Sequence, residues 1–402
     1  MSKGIVHVSG DYPDHIQPRK TKAVSSLIAE TETDLDHYVY SINRIDPSVS
    51  SLLRALVRQP VNPRLKIDLD SSQSREKALT YQAIPGGVFL AGTMSRLADA
   101  IADDIVKRGL RPDFLHGHKL TLEGLIVREI SQRLGCPYLL SVQVNTDRKI
   151  LHLRPDLLTV YRRVYHEAAI VFPFSVMGQR VCDVHLGERK GKTILLPCTS
   201  SQDQIIPPKI SEPVLASVFH LNDYKNKNVQ SLILASKHLQ AQFADYRFHL
   251  YGGGSDNAQV AIDRMIAKEG AVSFERKGPI LPATVQATLN EMCGFVMVSK
   301  RETFGMVFLE ALLAGCPVVF PKEWAIDGFF DQASFAIGVH SSDTDAIREG
   351  MVKLIIDQNT LKNELWNWQE KGELNRFQRE NVRKTYVKSI LGSVDKVDSQ
   401  IS

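Results

Sequence analysis

The sequence lacks the features that would place it among membrane or disulfide-stabilised proteins. In its 402 residues, of which 43% are hydrophobic, no apolar run approaches the ~18 residues of a membrane span. Its five cysteines are scattered and lack the C-x2-C spacing of a zinc site, so they are typical of reduced thiols. Met1 leads directly into a strand-like segment without a signal-peptide pattern. These absences predict a cytoplasmic protein without disulfides or a bound metal.

The chain also lacks a dense basic stripe. The formal net charge is +4, and residues 1–200 carry 27 Lys and Arg against 21 Asp and Glu. With no recognised nucleic-acid-binding motif, this pattern predicts no nucleic-acid partner. The mildly basic first half is compatible with an anionic acceptor or with peripheral association at the inner membrane face. A solvated surface explains it equally well.

The length predicts two domains, because 402 residues exceed one ordinary hydrophobic core. Alternating strand-like and helical segments predict α/β domains with parallel sheets. The proline-rich segment Ile205–Pro213 is typical of a linker. We therefore predict a first domain of residues 1–204 plus 376–402 and a second of residues 205–375. Residues 46–88 are predicted to be irregular, including Asp68-Leu-Asp70, which lacks the preceding apolar strand of a metal-binding triplet.

The stretch Phe295–Pro321 predicts a strand–turn–helix–turn–strand unit of the kind that builds parallel sheets. An apolar run is followed by a polar turn, and a helix then begins near Phe304. The helix ends at Gly315, a residue suited to the left-handed C-cap, and a second apolar run begins at Val318.

Two carboxylates stand out in this unit. Glu302 follows the first strand, at the edge where open α/β sheets bind ligands. Glu310 is the only carboxylate between Phe304 and Phe320, and burying it is costly unless something binds it. The helix N-terminus at Phe304, Gly305 and Met306 offers backbone N–H groups suited to phosphate. Together these groups predict a pocket for a nucleotide sugar, whereas either glutamate alone is more typical of a cap or a salt bridge.

The spacing Glu302-x7-Glu310, followed by Ala311-x3-Gly315-x-Pro317-Val318-Val319, resembles the E-x7-E signature of retaining glycosyltransferases with the GT-B fold, most closely glycosyltransferase family 4. The resemblance implies two Rossmann-like domains that face a cleft, with the C-terminal helix returning to the N-terminal domain. A helical stripe near the C-terminus suits that return: Val382, Tyr386, Ile390, Val394 and Val397.

The resemblance also implies an activity: metal-independent transfer of a sugar from a UDP- or GDP-linked donor to a hydroxyl, with retention of configuration. The acceptor would be a glycan or a lipid-linked glycan. Surface polysaccharide assembly, such as that of lipopolysaccharide, is the expected setting.

Matching positions suggest roles for individual residues. Glu302 would orient the donor sugar, and Glu310 would accept hydrogen bonds from the ribose. Lys227, with the amides of Phe304, Gly305 and Met306, would neutralise the diphosphate. His118, in the segment His116-Gly-His118, would contact the sugar near the anomeric carbon.

Two further donor-binding segments follow from the resemblance. His220 stands where the family usually has arginine. Gly253 and Gly254 belong to a triple glycine between a strand and a helix, where the backbone can approach a ligand closely.

The chain departs from the family at His220, at Gln143 and at Cys198, and no glycine follows Gly10 in the first loop. These departures keep two alternatives open. One is a nucleotide-sugar epimerase of the same fold, and the other is a non-catalytic GT-B scaffold.

Overall fold

The computed structural model describes residues 3–48, 50, 53, 57, 66–70, 72–83, 89–200 and 202–392. The chain divides into two compact units. The first comprises residues 1–174, 178–196 and the chain from Arg383 onward, and the second comprises residues 175–177 and 197–382.

The first unit is built on a sheet with strand order β3-β4-β2-β1-β5-β6-β7-β8, in which only β3 and β4 pair antiparallel. Its strands are β1 Lys3–Ser9, β2 Leu35–Ile45, β3 Ile67–Leu69, β4 Glu76–Gln82, β5 Phe114–Gly117, β6 Tyr138–Val142, β7 Ile170–Pro173 and β8 Lys192–Thr193. The helices between the strands are α1 Ala23–Thr31, α2 Leu90–Lys107, α3 Glu123–Leu134, α4 Val144–Leu153, α5 Leu158–Glu167 and α6 Val176–Leu186.

The second unit has an all-parallel sheet with strand order β11-β10-β9-β12-β13-β14. Its strands are β9 Val214–Val218, β10 Arg247–Tyr251, β11 Phe274–Gly278, β12 Gly294–Val296, β13 Val318–Pro321 and β14 Ala336–Val339. Its helices are α7 Val229–Gln242, α8 Asp256–Glu269, α9 Val285–Asn290, α10 Met306–Leu313, α11 Thr344–Ile356 and α12 Gln358–Glu370. The predicted α/β architecture with predominantly parallel sheets is confirmed in both units.

The unit predicted around Phe295–Pro321 is present as β12, α10 and β13. Gly315 has φ +69°, and a Cβ there would lie 2.6 Å from the Cα of Pro208. The helix end therefore needs glycine both for its left-handed backbone and for the close approach of the linker.

The prediction that residues 46–88 are irregular is wrong where they form β3 and β4. Strand β4 pairs with β2 from Val39 to Ile45. Its buried face includes the charged Lys77, which is 3% exposed and lies 2.8 Å from Asp104. A buried charged residue interrupts the alternation of hydrophobic and polar residues that identifies a strand, so the sequence pattern does not indicate β4. Asp68 therefore lies on a strand and not in a loop.

The C-terminal helix, α13 Arg379–Leu391, runs into the first unit from Arg383 onward. Its predicted apolar stripe is buried at Val382, Tyr386 and Ile390, while Val394 and Val397 lie outside the described residues. No helix among the described residues combines the length and apolar character that crossing a membrane requires.

Candidate functional site

The loops that follow the second unit's strands meet at one edge of its sheet, because all its strands are parallel. Phe219 and His220 follow β9, the glycines from Gly252 follow β10, and Pro279 follows β11. This carboxyl edge is where open α/β sheets bind ligands.

A cavity of about 270 Å³ opens at this edge. It brings together three of the predicted donor-binding residues, Glu310, His220 and Gly253. The full lining is Gln202, Val218, Phe219, His220, Gly252, Gly253, Pro279, Ile280, Pro282, Val285 and Glu310. The walls are mainly apolar with one carboxylate, which suits a ligand that has a flat apolar part and hydroxyl groups.

Glu310 lies in the second turn of α10 and is largely buried. Burial raises the pKa of its carboxyl group, and a hydrogen bond from Ser200 partly opposes that increase. The Oγ of Ser200 donates to Oε1 of Glu310. The carboxylate therefore already accepts a hydrogen bond from a hydroxyl group, the kind of bond that a ribose would make.

Lys227 and Glu302 form an ion pair beside the start of α10. The Nζ of Lys227 donates to Oε2 of Glu302 at 2.5 Å, and the two side chains are 14% and 15% exposed. Glu302 also accepts from Ser299 Oγ at 3.3 Å and from the Thr303 amide at 3.2 Å. Two of the three predicted catalytic residues are therefore in direct contact, and both keep some access to solvent.

The N-terminus of α10 presents backbone donors. In the part of the chain that the structure describes, no acceptor takes the N–H groups of Phe304, Gly305 or Met306. Gly305 has φ +72°, and the Phe304 side chain is buried. Backbone amides at a helix N-terminus, close to a lysine, suit a phosphate group.

The glycine loop after β10 depends most on Gly252, which sequence reasoning did not single out. Gly252 has φ +150°, and a Cβ there would lie 1.9 Å from the carbonyl oxygen of Phe219. At Gly254 a Cβ would lie 2.7 Å from Cβ of Leu221, whereas Gly253 has only Pro279 nearby, at 3.7 Å. Gly253 borders the cavity, and its two neighbours allow the loop to pack.

His220 is exposed at the rim of the cavity. Its Nδ1 accepts a hydrogen bond from the Asn222 amide at 3.4 Å and so caps the short turn that follows β9. This position is compatible with a ligand contact.

The structure places His118 in the first unit, wholly buried. Its Nε2 lies 3.0 Å from Nδ1 of His7, and its Nδ1 lies 3.4 Å from Oγ of Ser141. Both ring nitrogens are therefore hydrogen-bonded within the protein. A contact between His118 and a sugar stays a prediction, and it would require one of these hydrogen bonds to break.

A set of connected polar side chains lies beside His118. Gln143 donates to Oδ2 of Asp11 at 2.9 Å and to the carbonyl oxygen of His118 at 3.0 Å. Lys119 pairs with the other oxygen of Asp11 at 2.7 Å. Glu123 accepts from the Gly10 amide at 2.7 Å. Burial raises the pKa of Glu123 to about 7, although Lys119 acts in the opposite direction.

No metal-ligand spacing is visible in the sequence, yet two separate segments bring three histidines together. Nitrogen atoms of His7, His116 and His118 lie within 4.8 Å of one another, and all three side chains are buried. Sequence spacing did not reveal this cluster, because its members come from β1, β5 and the residue after β5. The only signal was the pair His116 and His118. No disulfide joins the five cysteines, all of which are among the described residues.

Residues 212–357, about a third of the chain, match a protein-family model described as glycosyl transferases group 1. This segment contains Lys227, Glu302 and Glu310. A search of curated protein sequences finds no match.

Solved structures resemble the whole chain. Sucrose-phosphate synthase from Thermosynechococcus elongatus matches with a TM-score of 0.68 and 16% identity, over 100% of both chains. Anabaena HepE in complex with UDP matches with a TM-score of 0.63 and 13% identity, over 97% of this chain and 100% of the other. An alpha,alpha-trehalose-phosphate synthase (UDP-forming) from Burkholderia xenovorans, in complex with glucose-6-phosphate, matches with a TM-score of 0.64 and 10% identity, over 97% and 100%. The chain therefore has the predicted GT-B fold, and the segment that carries its cavity-lining carboxylate is similar to the glycosyl transferases of group 1.

Proposed function

We propose that this protein is a retaining glycosyltransferase that moves a sugar from a nucleotide-sugar donor to a hydroxyl group of a glycan or lipid-linked acceptor. The observation that carries the proposal is Glu310, a largely buried carboxylate that borders the cavity at the carboxyl edge of the second sheet.

A donor nucleoside fits this cavity by its chemistry. The apolar wall of Pro279, Ile280 and Pro282 suits the face of a base, and Glu310 can accept from ribose hydroxyls in place of Ser200. A uridine nucleotide is the first candidate, because one structural neighbour is described in complex with UDP and another as UDP-forming. GDP-linked sugars are the second.

The diphosphate would lie at the start of α10. The ammonium group of Lys227 and the backbone donors of Phe304, Gly305 and Met306 would stabilise the charge that develops on the leaving group. Glu302, held by Lys227, would orient the donor sugar. Because these groups are all part of the protein, we propose that transfer needs no divalent ion, and activity should survive EDTA.

Binding and turnover are tested in sequence. Thermal-shift measurements with UDP, GDP and their sugars should show a rise in melting temperature with one nucleotide class, because a ligand that binds only the folded state stabilises it. Calorimetry then measures the affinity. If no nucleotide or nucleotide sugar binds, the donor site is wrong.

Product analysis separates transfer from the alternatives. With donor and acceptor present, the anomeric configuration of the product by NMR should match that of the donor. An altered donor sugar without any acceptor would identify an epimerase. Donor binding without turnover across lipid-linked glycans and free glycans would indicate a scaffold. The proposed setting, surface polysaccharide assembly, predicts that lipid-linked acceptors give the highest rate.

A further inference from the structure

Four buried histidines form a continuous chain of hydrogen bonds across one face of the first sheet. We name the imidazole chain by its members in order: Thr31, His37, His7, His118, Ser141, His116 and Tyr386. Successive donor–acceptor distances are 3.0, 2.8, 3.0, 3.4, 2.9 and 2.8 Å. Thr31 ends α1 and Tyr386 lies on α13, so the chain joins both helices to strands β2, β1, β5 and β6.

The direction of every hydrogen bond follows from one end of the chain. The hydroxyl of Thr31 donates to the carbonyl oxygen of Leu27 at 2.7 Å, so it must accept from His37. A neutral imidazole has one donor and one acceptor nitrogen, and a hydroxyl has a single hydrogen. Each bond therefore fixes the next, until the Tyr386 hydroxyl donates to His116. All four histidines are neutral in this arrangement, with the hydrogen on Nε2.

A metal ion does not account for this cluster. Every imidazole nitrogen already has a hydrogen-bond partner within the chain. Among the described residues no carboxylate hydrogen-bonds to any of the four rings, so a cation among them would have no carboxylate ligand. The hydrogen-bonded chain satisfies each polar atom by itself.

We propose that the imidazole chain is a proton-sensitive latch, which holds α1 and α13 on the first unit's sheet at neutral pH and releases them in mild acid. An added proton places a donor on both nitrogens of a ring, so the ring can no longer accept from its neighbour. The neighbouring N–H or O–H then faces another donor, and a charge is buried. Opening the two covering helices gives the charged ring access to water. This inference does not depend on the proposed glycosyl transfer.

The groups around the imidazole chain favour proton uptake when α1 and α13 open. Burial lowers the pKa of His37 to about 4 and that of His118 to about 3, and it holds the pKa values of His7 and His116 well below the ordinary 6.5. The charged groups that act on the chain are Asp36 and Arg75 near His37, and Asp11 and Lys119 near His118. On α13, Arg383 pairs with Asp34 at 2.6 Å.

The direction of the pH effect follows from the difference in proton binding between the closed and the open form. Because the folded-state pKa values are lowered, the closed form binds fewer protons than an open form below pH 6.5. The neutral histidines therefore stabilise the closed form fully above pH 6.5, and this stabilisation decreases as the pH falls through 6.5 toward about 4. Each proton taken up raises the opening equilibrium constant about tenfold per pH unit.

Hydrogen exchange monitored by mass spectrometry between pH 7.5 and 5 tests the latch on the full chain. After correction for intrinsic exchange, the opening constants of α1 and α13 should rise by at least about 100-fold per pH unit below pH 6.5, because two or more histidines take up protons. Helix α8 in the second unit should change far less. An opening constant of α13 that does not change between pH 7.5 and 5 would overturn the latch. An equally steep opening of α8 would do the same, because it would indicate global acid unfolding.

Two variants and a matched control separate the latch from ordinary packing. Tyr386→Phe removes one donor and keeps the ring, so α13 should open about tenfold more at pH 7.5 with its pH slope retained. Tyr246→Phe is the control, since this buried tyrosine bonds to Ser236 Oγ at 2.9 Å in the second unit and should leave α13 unchanged.

His116→Gln removes one titrating group, so the number of protons taken up when α13 opens should fall by one. The pH dependence of the α13 opening constant should become correspondingly less steep. An unchanged slope would contradict the proposal. Should that variant fail to fold, the wild-type profile and Tyr386→Phe still decide: a wild-type slope below two protons, or a Tyr386→Phe profile that matches the control, overturns it.

Discussion

The two units place ionisable side chains at the carboxyl edges of parallel sheets, but with opposite access to solvent. In the second unit Glu310 borders a cavity, and the Lys227–Glu302 pair keeps about 15% exposure. In the first unit His118 and Glu123 are wholly buried and bonded to other protein groups. A ligand can replace one serine hydroxyl at Glu310, whereas at His118 it must break a buried hydrogen-bond chain. Accessibility, more than residue type, therefore separates the groups proposed to bind the donor from the groups bonded within the protein.

The largest expected effect concerns Glu310, the carboxylate that borders the cavity of the second unit. Glu310→Ala should weaken binding of the donor nucleotide by about 100-fold or more, because hydrogen bonds to a charged group contribute roughly 1.5–3 kcal/mol each. Calorimetry with the nucleotide found by thermal shift measures it. Glu349→Ala, at an exposed position on α11, is the matched control. Unchanged affinity in Glu310→Ala would remove the carboxylate from the site.

The second-largest expected effect concerns Glu123, the buried carboxylate of the first unit. The folded-state pKa of Glu123 is raised to about 7 from 4.5, so its stabilising contribution is complete below pH 4.5 and is lost as the pH rises to about 7. Between pH 5 and 7.5 the wild type should lose roughly 2–3 kcal/mol of unfolding free energy relative to Glu123→Gln. Urea unfolding of both proteins across this range measures the difference. Parallel pH profiles would show that Glu123 does not titrate in this window.

A double-mutant cycle sharpens the assignment of the ion pair. Lys227→Gln, Glu302→Gln and the double variant should show a coupling of about 1–2 kcal/mol in kcat/KM, because the two side chains are in contact at 2.5 Å. The single variants should leave the melting temperature nearly unchanged, since the pair is partly exposed. Additive effects on kcat/KM would mean that the two residues act separately.

The smallest effect concerns Ser200. Ser200→Ala removes the hydroxyl that occupies Glu310, so donor affinity should rise by up to about tenfold, because the ligand no longer displaces a protein hydrogen bond. Titration calorimetry on this variant and on Glu310→Ala/Ser200→Ala tests the mechanism. The gain should disappear in the double variant, and a gain that persists would show that Ser200 acts elsewhere.

The second unit was the easier one to predict, for a physical reason. Its strands are apolar runs, its turns carry glycine at left-handed positions, and Glu302 and Glu310 lie on one short strand–helix segment. Local sequence therefore contains most of the site. The first unit was harder, because Lys77 on β4 forms its ion pair with Asp104 on α2 and the histidines come from several strands. Side chains that are distant in sequence satisfy each other there, and no local pattern indicates such pairing.

The GT-B architecture was implied by the resemblance of the Glu302-x7-Glu310 motif to a known family. The amino-acid sequence by itself determined the α/β class and the pair of glutamates around the helix that begins at Met306. These depend on hydrophobic periodicity, helix caps and spacing, which act over a few neighbouring residues. Only the tertiary structure decided that Ser200 bonds to Glu310, that Gly252 is the glycine the loop requires, and that His118 is closed inside a chain of imidazoles. Those outcomes depend on which distant segments fold against each other, because burial and hydrogen-bond partners are properties of the packed chain.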